Sequence, residues 1–208
     1  AAVLRAAGVA LGDNVFSHPP SAVREALEAH PWVAEAQVER RLPGTLRVSL
    51  AEHRPVALLL AGEDYLVGED ASLFKRWRAG DPADLPVVTG VDRRRFAGDR
   101  AYRTALLREL VALTHDHRAA GLWRRLPLHE VHVEANGHLS LYAGEGPLYV
   151  RLGAAPHGPQ LRRLRRVLDR LAEDELEAAY VFLDNVRRPD RVTVRLREVP
   201  ALPPSTPG

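Results

Sequence analysis

The chain has 208 residues, of which 46% are apolar, so it can build the core of one large domain or two small ones. Lysine and arginine number 29 against 27 for aspartate and glutamate, and this balance excludes a strongly basic nucleic-acid binder and an acidic disordered tail. The sequence lacks cysteine and any run of about 18 apolar residues, which excludes a disulfide framework, a thiol nucleophile and a membrane span within it.

Two helices are predicted first in the chain. A short apolar segment over 1–7 ends at glycine turns, and a second helix begins after Ser17-His18-Pro19-Pro20. The second helix is expected to end near Ala29, because the residue before Pro31 is disfavoured in the helical region.

A β-hairpin is predicted next. Apolar and polar residues alternate over 32–41 and again over 45–53, on either side of a turn at Leu42-Pro43-Gly44. An isolated hairpin is marginally stable, so we expect the helices to cover its apolar face. Trp32 is expected to pack in the core between helix and sheet, and the alternative is a ligand contact.

Arg54-Pro55 marks the predicted boundary with a larger unit. Within that unit, apolar strand-like segments lie at 56–61, 65–67, 73–74, 85–90, 128–135, 138–143, 148–152, 180–184 and 192–197, and helical periodicity covers 99–120 and 159–175. The sequence therefore predicts an α+β protein: a small α/β unit over 1–54, then a unit over 55–198 with a mostly antiparallel sheet and flanking helices. The proline-rich tail, 199–208, is expected to be disordered.

No catalytic constellation is present in the sequence. A Walker loop, a G-x-G-x-x-G turn and a G-x-S-x-G elbow are all missing. His129 and His132 are one residue too close for the H-E-x-x-H zinc motif, and residues three apart on a strand face opposite sides. We therefore predict that the protein is not an enzyme and binds no metal or cofactor. The alternative is a hydrolase or metal-dependent enzyme that uses the region of His129 and His132.

Arginines crowd the predicted helix 159–175 on the face opposite its leucines: Arg162, Arg163, Arg165, Arg166 and Arg170. Two interpretations stay open. The cluster is a solvated polar face, or it contacts phosphate, acidic lipid headgroups or an acidic partner.

Three segments carry a family resemblance: Gly12-Asp13-Asn14-Val15-Phe16, the run from His30-Pro31-Trp32-Val33 to Arg40, and the run from Leu42-Pro43-Gly44-Thr45 to Pro55-Val56-Ala57. Together they resemble a POTRA domain. With Leu85-Pro86-Val87-Val88-Thr89-Gly90 and Leu148-Tyr149-Val150-Arg151-Leu152-Gly153 downstream, residues 1–198 are similar to the FtsQ/DivIB family of bacterial cell-division proteins. An alternative is a POTRA-type chaperone of outer-membrane protein assembly or secretion.

The resemblance implies a location and a role. It implies the extracytoplasmic, periplasmic part of a single-pass inner-membrane protein at the division septum, with its anchor upstream of this chain. Residues 1–7 would correspond to the first POTRA helix, so the first POTRA strand is expected to be missing. The family implies a non-enzymatic scaffold that binds the FtsB and FtsL homologues, helps to control septal peptidoglycan synthases and binds no nucleic acid.

The resemblance also implies the binding residues. In the family the partner docks by strand addition at the last strand, which corresponds here to Val192, Thr193, Val194, Arg195, Leu196 and Arg197, supported by the strand of Tyr180. The chain ends with Pro200 and Pro203-Pro204 in place of the aromatic and glycine residues of some members, so the side-chain anchors must differ.

A second surface, implied for recruitment by the POTRA unit, comprises Val48, Leu50, Glu52 and Arg54. For Glu52 and Arg54 the alternative expectation is a local salt bridge at the junction between the two units.

Overall fold

A computed structural model describes residues 7–10, 12–146, 148–185, 187–188 and 190–197. The helix expected over 1–7 and the tail 199–208 therefore fall outside these residues, apart from Ala7. The helices of the described part are α1 (Pro20–Glu28), α2 (Arg93–Gly98), α3 (Arg100–Ala119) and α4 (Gly158–Glu173). Its strands are β1 (Val33–Arg41), β2 (Thr45–Glu52), β3 (Pro55–Leu60), β4 (Asp64–Gly68), β5 (Leu73–Arg76), β6 (Val87–Thr89), β7 (Leu128–Val133), β8 (Leu139–Ala143), β9 (Leu148–Gly153), β10 (Ala178–Phe182) and β11 (Thr193–Leu196).

The predicted hairpin and its covering helix are confirmed. Strands β1 and β2 pair antiparallel from Arg41↔Thr45 back to Val33↔Glu52. Helix α1 buries Val23 and Leu27 against Val33 and Ala36 of β1, so the small unit has its own apolar cluster. Burial of these side chains is what holds a two-stranded sheet that would be marginal alone.

The larger unit is built on one nine-stranded sheet with the order β11-β10-β9-β8-β7-β6-β3-β4-β5. Five of its strand pairs are antiparallel and three are parallel, which agrees with the mostly antiparallel sheet expected from the sequence. The parallel steps β6 to β7 and β9 to β10 cross over through α2–α3 and α4. Strands β6 and β9 point in the same direction, and both crossovers lead to the next strand on the β11 side. Right-handed crossovers therefore place their helices on the same face of the sheet.

A row of aliphatic side chains crosses the helix-covered face of this sheet. It joins cross-strand partners in seven neighbouring strands: Leu59, Val88, Val131, Leu141, Val150, Val181 and Val194. All of them except Val194 are at most 1% exposed. They share one cluster with Leu110 and Leu113 of α3 and with Leu161 and Leu164 of α4. Burial of this row fixes the register, because a slip of one residue would turn every side chain to the other face.

The short helix α2 escaped the sequence prediction, although its start carries a capping signal. The Asp92 carboxylate accepts hydrogen bonds from the backbone amides of Arg94 and Arg95, both at 3.0 Å. Asp99 caps α3 in the same way, accepting from the Tyr102 amide at 2.9 Å. The hydrogen bond from the Tyr102 amide lowers the pKa of Asp99. Two consecutive caps therefore divide residues 93–119 into two helices.

The two units meet at Phe74 of β5. The Trp32 ring lies edge-on to Phe74 with centroids 5.3 Å apart, and His53 stacks on it at 4.5 Å. The Lys75 ammonium lies 5.6 Å from the Trp32 ring centroid. The expectation that Trp32 packs between helix and sheet of its own unit is wrong, because the ring turns to the edge of the second sheet.

A second junction contact also differs from expectation. Glu52 and Arg54 form no ion pair among the described residues. The side chain between them, His53, faces Asp70 with Nδ1 3.9 Å from Oδ2, and the Arg54 carbonyl accepts a hydrogen bond from the Glu69 amide at 3.0 Å. Residues 53 and 54 lie between β2 and β3 and belong to neither strand, so Glu52 and Arg54 are not held on one face by the alternation of a continuous strand.

We expect Phe74→Ala to loosen the small unit from the sheet, because both Trp32 and His53 lose the ring they pack on. The ring is partly exposed, so the loss should be about 1–3 kcal/mol, below the cost of a fully buried Phe→Ala change. Hydrogen exchange should speed up over residues 33–52 and stay unchanged over 139–153. Trp123→Ala, at a ring that is 50% exposed and contacts its neighbour Arg124, is the matched control and should change neither segment. Unchanged exchange over 33–52 in Phe74→Ala would contradict this account of the junction.

We expect stability to fall in mild acid through His117, which is 4% exposed in the last turns of α3. Burial lowers the pKa of His117, so the neutral imidazole favours the fold. Its contribution is complete above the unfolded pKa of about 6.5 and is lost as pH falls through the folded value. Urea unfolding of the native chain and of His117→Leu, from about pH 8 to 5, should show their stability difference moving in favour of the variant. The other histidines are present in both chains, so their effects cancel in the comparison. A stability difference that does not change with pH would refute the assignment to His117.

Candidate functional site

Strand β11 forms one end of the nine-stranded sheet and, in the described part of the chain, pairs with β10 alone. The register joins Thr193 to Phe182, Val194 to Val181 and Arg195 to Tyr180. Four of the residues suggested for partner binding, Thr193–Leu196, make up the strand itself. Val192 and Arg197 flank it, and Tyr180 lies on the neighbouring strand.

The hydrogen bonds show which amides of β11 face outward. The Arg197 amide donates inward to the Glu177 carbonyl at 2.8 Å, and the Leu183 amide donates away from β11 to the Arg151 carbonyl of β9 at 2.9 Å. Successive amides on a strand point to opposite sides, so those of Thr193 and Arg195 face β10. The amides of Val194 and Leu196 therefore point to the open edge.

The two faces of β11 differ in chemistry. Val192 and Val194 are half-buried against the helix-covered core. Leu196, on the same face as Val194, is 41% exposed. Thr193 and Arg195 face the opposite side, which no helix of the described residues covers, and both are exposed. An added strand would therefore meet aliphatic groups on one face and polar groups on the other.

An aromatic row leads up to the edge on the face without helices. It runs through cross-strand partners Tyr142, Tyr149 and Tyr180 and ends at Arg195. Tyr142 and Tyr149 lie 5.1 Å apart, and Tyr180 stacks on Phe182 at 4.6 Å. Periodicity along the chain does not predict this row. Its signal was a tyrosine on each of three strands, but only the register shows that the three are neighbours.

Charged groups hold this aromatic surface in place. The Arg151 guanidinium lies 4.2 Å from the Phe182 ring centroid, with Nε 2.8 Å from the Asp184 carboxylate. Glu134 accepts hydrogen bonds from Ser140 at 2.6 Å and from the Tyr149 hydroxyl at 3.2 Å. The bond from Ser140 lowers the pKa of Glu134, and burial raises the pKa of Tyr149. At neutral pH the glutamate is therefore ionised and the tyrosine is a neutral donor.

The residues suggested on the small unit divide into two groups. Val48 packs against the apolar cluster of α1 and β1. Leu50, Glu52 and Arg54 line an open cleft of about 700 Å³ whose other wall is the β4–β5 turn, with Glu69 and Asp70. Leu50 is 39% exposed in it. The cleft thus presents Leu50 and two alanine side chains, Ala34 and Ala51, among charged groups.

The two histidines considered as metal ligands, His129 and His132, are engaged in local hydrogen bonds. His129 Nε2 lies 3.1 Å from the Gly144 carbonyl, and His132 Nδ1 lies 2.8 Å from the Thr89 hydroxyl. Thr89 in turn donates to Glu130. Within the part of the chain that the structure describes, no three histidine, aspartate or glutamate side chains are grouped as metal ligands would be.

The α4 arginines do not form one uniform face. Arg165 turns to α3, where it donates to the Ala120 carbonyl at 3.0 Å, and Arg170 pairs with Glu173 and Asp174 at 3.1 and 3.3 Å. Arg163 and Arg166 lie on the other flank, toward β11. The sequence placed all five opposite the leucines, and the packing of α3 separates them.

Among the described residues, no helix is both long and apolar enough to cross a membrane. Residues 1–53 match the family model of the FtsQ-type POTRA domain, and residues 57–184 match that of the C-terminal part of the cell division protein FtsQ/DivIB. The POTRA match is of the FtsQ type, which favours the division family over an outer-membrane chaperone.

Curated relatives agree with these matches. The cell division protein FtsQ of Anaeromyxobacter sp. (strain K) is 41% identical over 185 residues, covering 89% of this chain and 63% of that protein. FtsQ of Myxococcus fulvus is 36% identical over 194 residues (93% and 68%), and FtsQ of Geotalea daltonii is 29% identical over 182 residues (88% and 66%). The chain thus spans about two thirds of the length of these relatives. With an FtsQ-type POTRA unit followed by the FtsQ/DivIB C-terminal unit, the chain belongs to the FtsQ/DivIB family of cell division proteins.

Proposed function

We propose that this chain is a non-enzymatic scaffold of the cell-division machinery that binds homologues of FtsB and FtsL, in part by strand addition at β11. The observation that supports this most directly is the outer edge of β11, where the Val194 and Leu196 amides point away from the sheet. A sheet edge offers a row of unpaired donors and acceptors, and an incoming strand satisfies them.

Backbone pairing would supply the affinity and the flanking side chains the selectivity. Each new hydrogen bond contributes about 0.5–1.5 kcal/mol net, and ordering the partner offsets much of the sum. On the face without helices, Arg195 and Tyr180 would contact the partner's side chains, and Arg197 would lie at the far end of the strand beside Glu177. Charged contacts at such a rim change association rate and partner choice more than affinity.

The same proposal assigns the two units different tasks. The unit over 1–54 would contribute to recruitment near the membrane through Leu50, Glu52 and Arg54, with Val48 holding the strand in place from the small core. The unit over 55–198 would bind the partner complex and, through it, help to control septal peptidoglycan synthases. An anchor preceding this chain would hold it on the periplasmic side of the inner membrane at the septum.

We expect Val194→Pro to abolish or weaken binding of the extracytoplasmic segment of the chain's own FtsB homologue by at least about tenfold. Proline removes an outward amide and no bond to β10, so the sheet stays intact. Val194→Ala is the matched control. It keeps the amide while shortening the side chain, and it should bind within about threefold of the native chain. Isothermal titration gives the affinities, and thermal melts confirm that each variant is folded.

Three results would count against parts of this proposal. If the folded native chain does not bind the segment, the assignment of the partner is wrong. If Val194→Pro and the native chain bind equally well, the partner is right and the β11 edge is not its site. If Val194→Ala loses as much affinity as Val194→Pro, the side chain rather than the amide carries the contact.

A further inference from the structure

A groove of about 460 Å³ runs along the side of α4 that faces away from α3. The opposite side of α4 is occupied, because Arg165 and Asp169 contact α3 and the turn that follows it. The floor of the groove is aliphatic, with Val167, Leu171 and Val192. Its rim carries Arg163, Arg166 and Arg170 on the helix and Asp190 on the segment that leads into β11.

Two of the rim arginines have no ion-pair partner among the described residues. Arg170 is balanced by Glu173 and Asp174, whereas no carboxylate of the described residues lies within 4.0 Å of the guanidinium of Arg163 or Arg166. Arg163 is also half-buried. An ion pair that is partly shielded from water is screened less than one at an open surface, so this site favours an anionic group.

The groove continues the edge of the sheet. Val192 lines it and lies two residues before Val194, so both side chains point to the helix-covered face. Alternate side chains of a strand added beside β11 would share that face, and they would project into the space next to α4. The groove is thus the surface that one face of such a strand must fill.

We infer that the partner segment that adds to β11 carries an aliphatic side chain on its α4-facing side, with carboxylates two residues away on the same face. This inference rests on the proposed function. The aliphatic group packs on Val167, Leu171 and Val192, and the carboxylates pair with Arg163 and Arg166. Backbone pairing then accepts many sequences, while the groove selects those with this acidic and aliphatic alternation.

A membrane surface suits the same arginines less well. The guanidinium groups border a concave aliphatic floor beside a strand edge, and flat headgroup layers cannot reach such a floor. Arg170, whose side chain is 72% exposed, is already paired with Glu173 and Asp174 at the end of its own helix. A peptide strand with alternating aliphatic and acidic side chains contacts both the floor and the rim arginines.

The test measures binding of the extracytoplasmic segment of the FtsB homologue to the double variant Arg163→Glu with Arg166→Glu. The control is Arg24→Glu with Arg108→Glu, two exposed arginines on α1 and α3, which changes the net charge equally. Each chain is titrated with the native segment and with the same segment after its Asp and Glu are replaced by Asn and Gln. We expect the groove variant to lose about tenfold or more with the native segment and under about threefold with the neutralised one. The control should stay within about threefold throughout.

The outcomes separate this inference from the function it rests on. If the native segment binds the groove variant as well as the native chain, and Val194→Pro abolishes binding, the edge site stands and the groove inference is wrong. If the control loses as much as the groove variant, the effect is long-range charge and the inference is overturned. It is also overturned if the variant keeps the segment but loses flotation with phosphatidylglycerol vesicles, because the arginines then serve a lipid surface.

Discussion

The aliphatic row that runs from Leu59 to Val194 is the constraint on which the rest of the larger unit depends. It crosses seven strands, and six of its members are almost completely shielded from water. Because cross-strand partners share a face, burial of this row sets the register of β3 and of β6 to β11 together. The same register places the residues between the row members on the opposite face, where the tyrosines and charged side chains lie.

The handedness of the crossovers explains why the edge at β11 is open on one face and bordered on the other. Both crossovers run toward β11, so α3 and α4 lie side by side on one face. As the outermost helix, α4 has α3 on one flank and no helix of the described residues on the other, where Val192 and Asp190 border the groove. Its arginines are therefore divided between packing, as for Arg165, and the groove, as for Arg163 and Arg166.

The two ends of the sheet have different surroundings. At β5, Phe74 packs on Trp32 and His53 of the small unit, so this end is engaged within the chain. At β11, the outward amides of Val194 and Leu196 have no partner strand among the described residues. One end of the sheet is thus engaged within the chain and the other end is open. This arrangement fits the proposed scaffold, in which the small unit lies toward the membrane and a partner binds at β11.

The sequence alone determined the family resemblance and most local elements, with the short helix α2 as an exception. The turn at Leu42-Pro43-Gly44 indicates where the hairpin reverses direction. The leucine period of α4 and the alternation of 192–197 indicate which side of each element is apolar. Such periods do not say which distant element covers that side, because non-local pairing depends on register and crossover handedness. Only the tertiary structure therefore decided that Trp32 meets Phe74, that the tyrosines of three strands are neighbours, and that Val192 and α4 form a groove. The outward direction of the Val194 amide was likewise decided by the tertiary structure, because it depends on where β10 lies and not on the residues of β11.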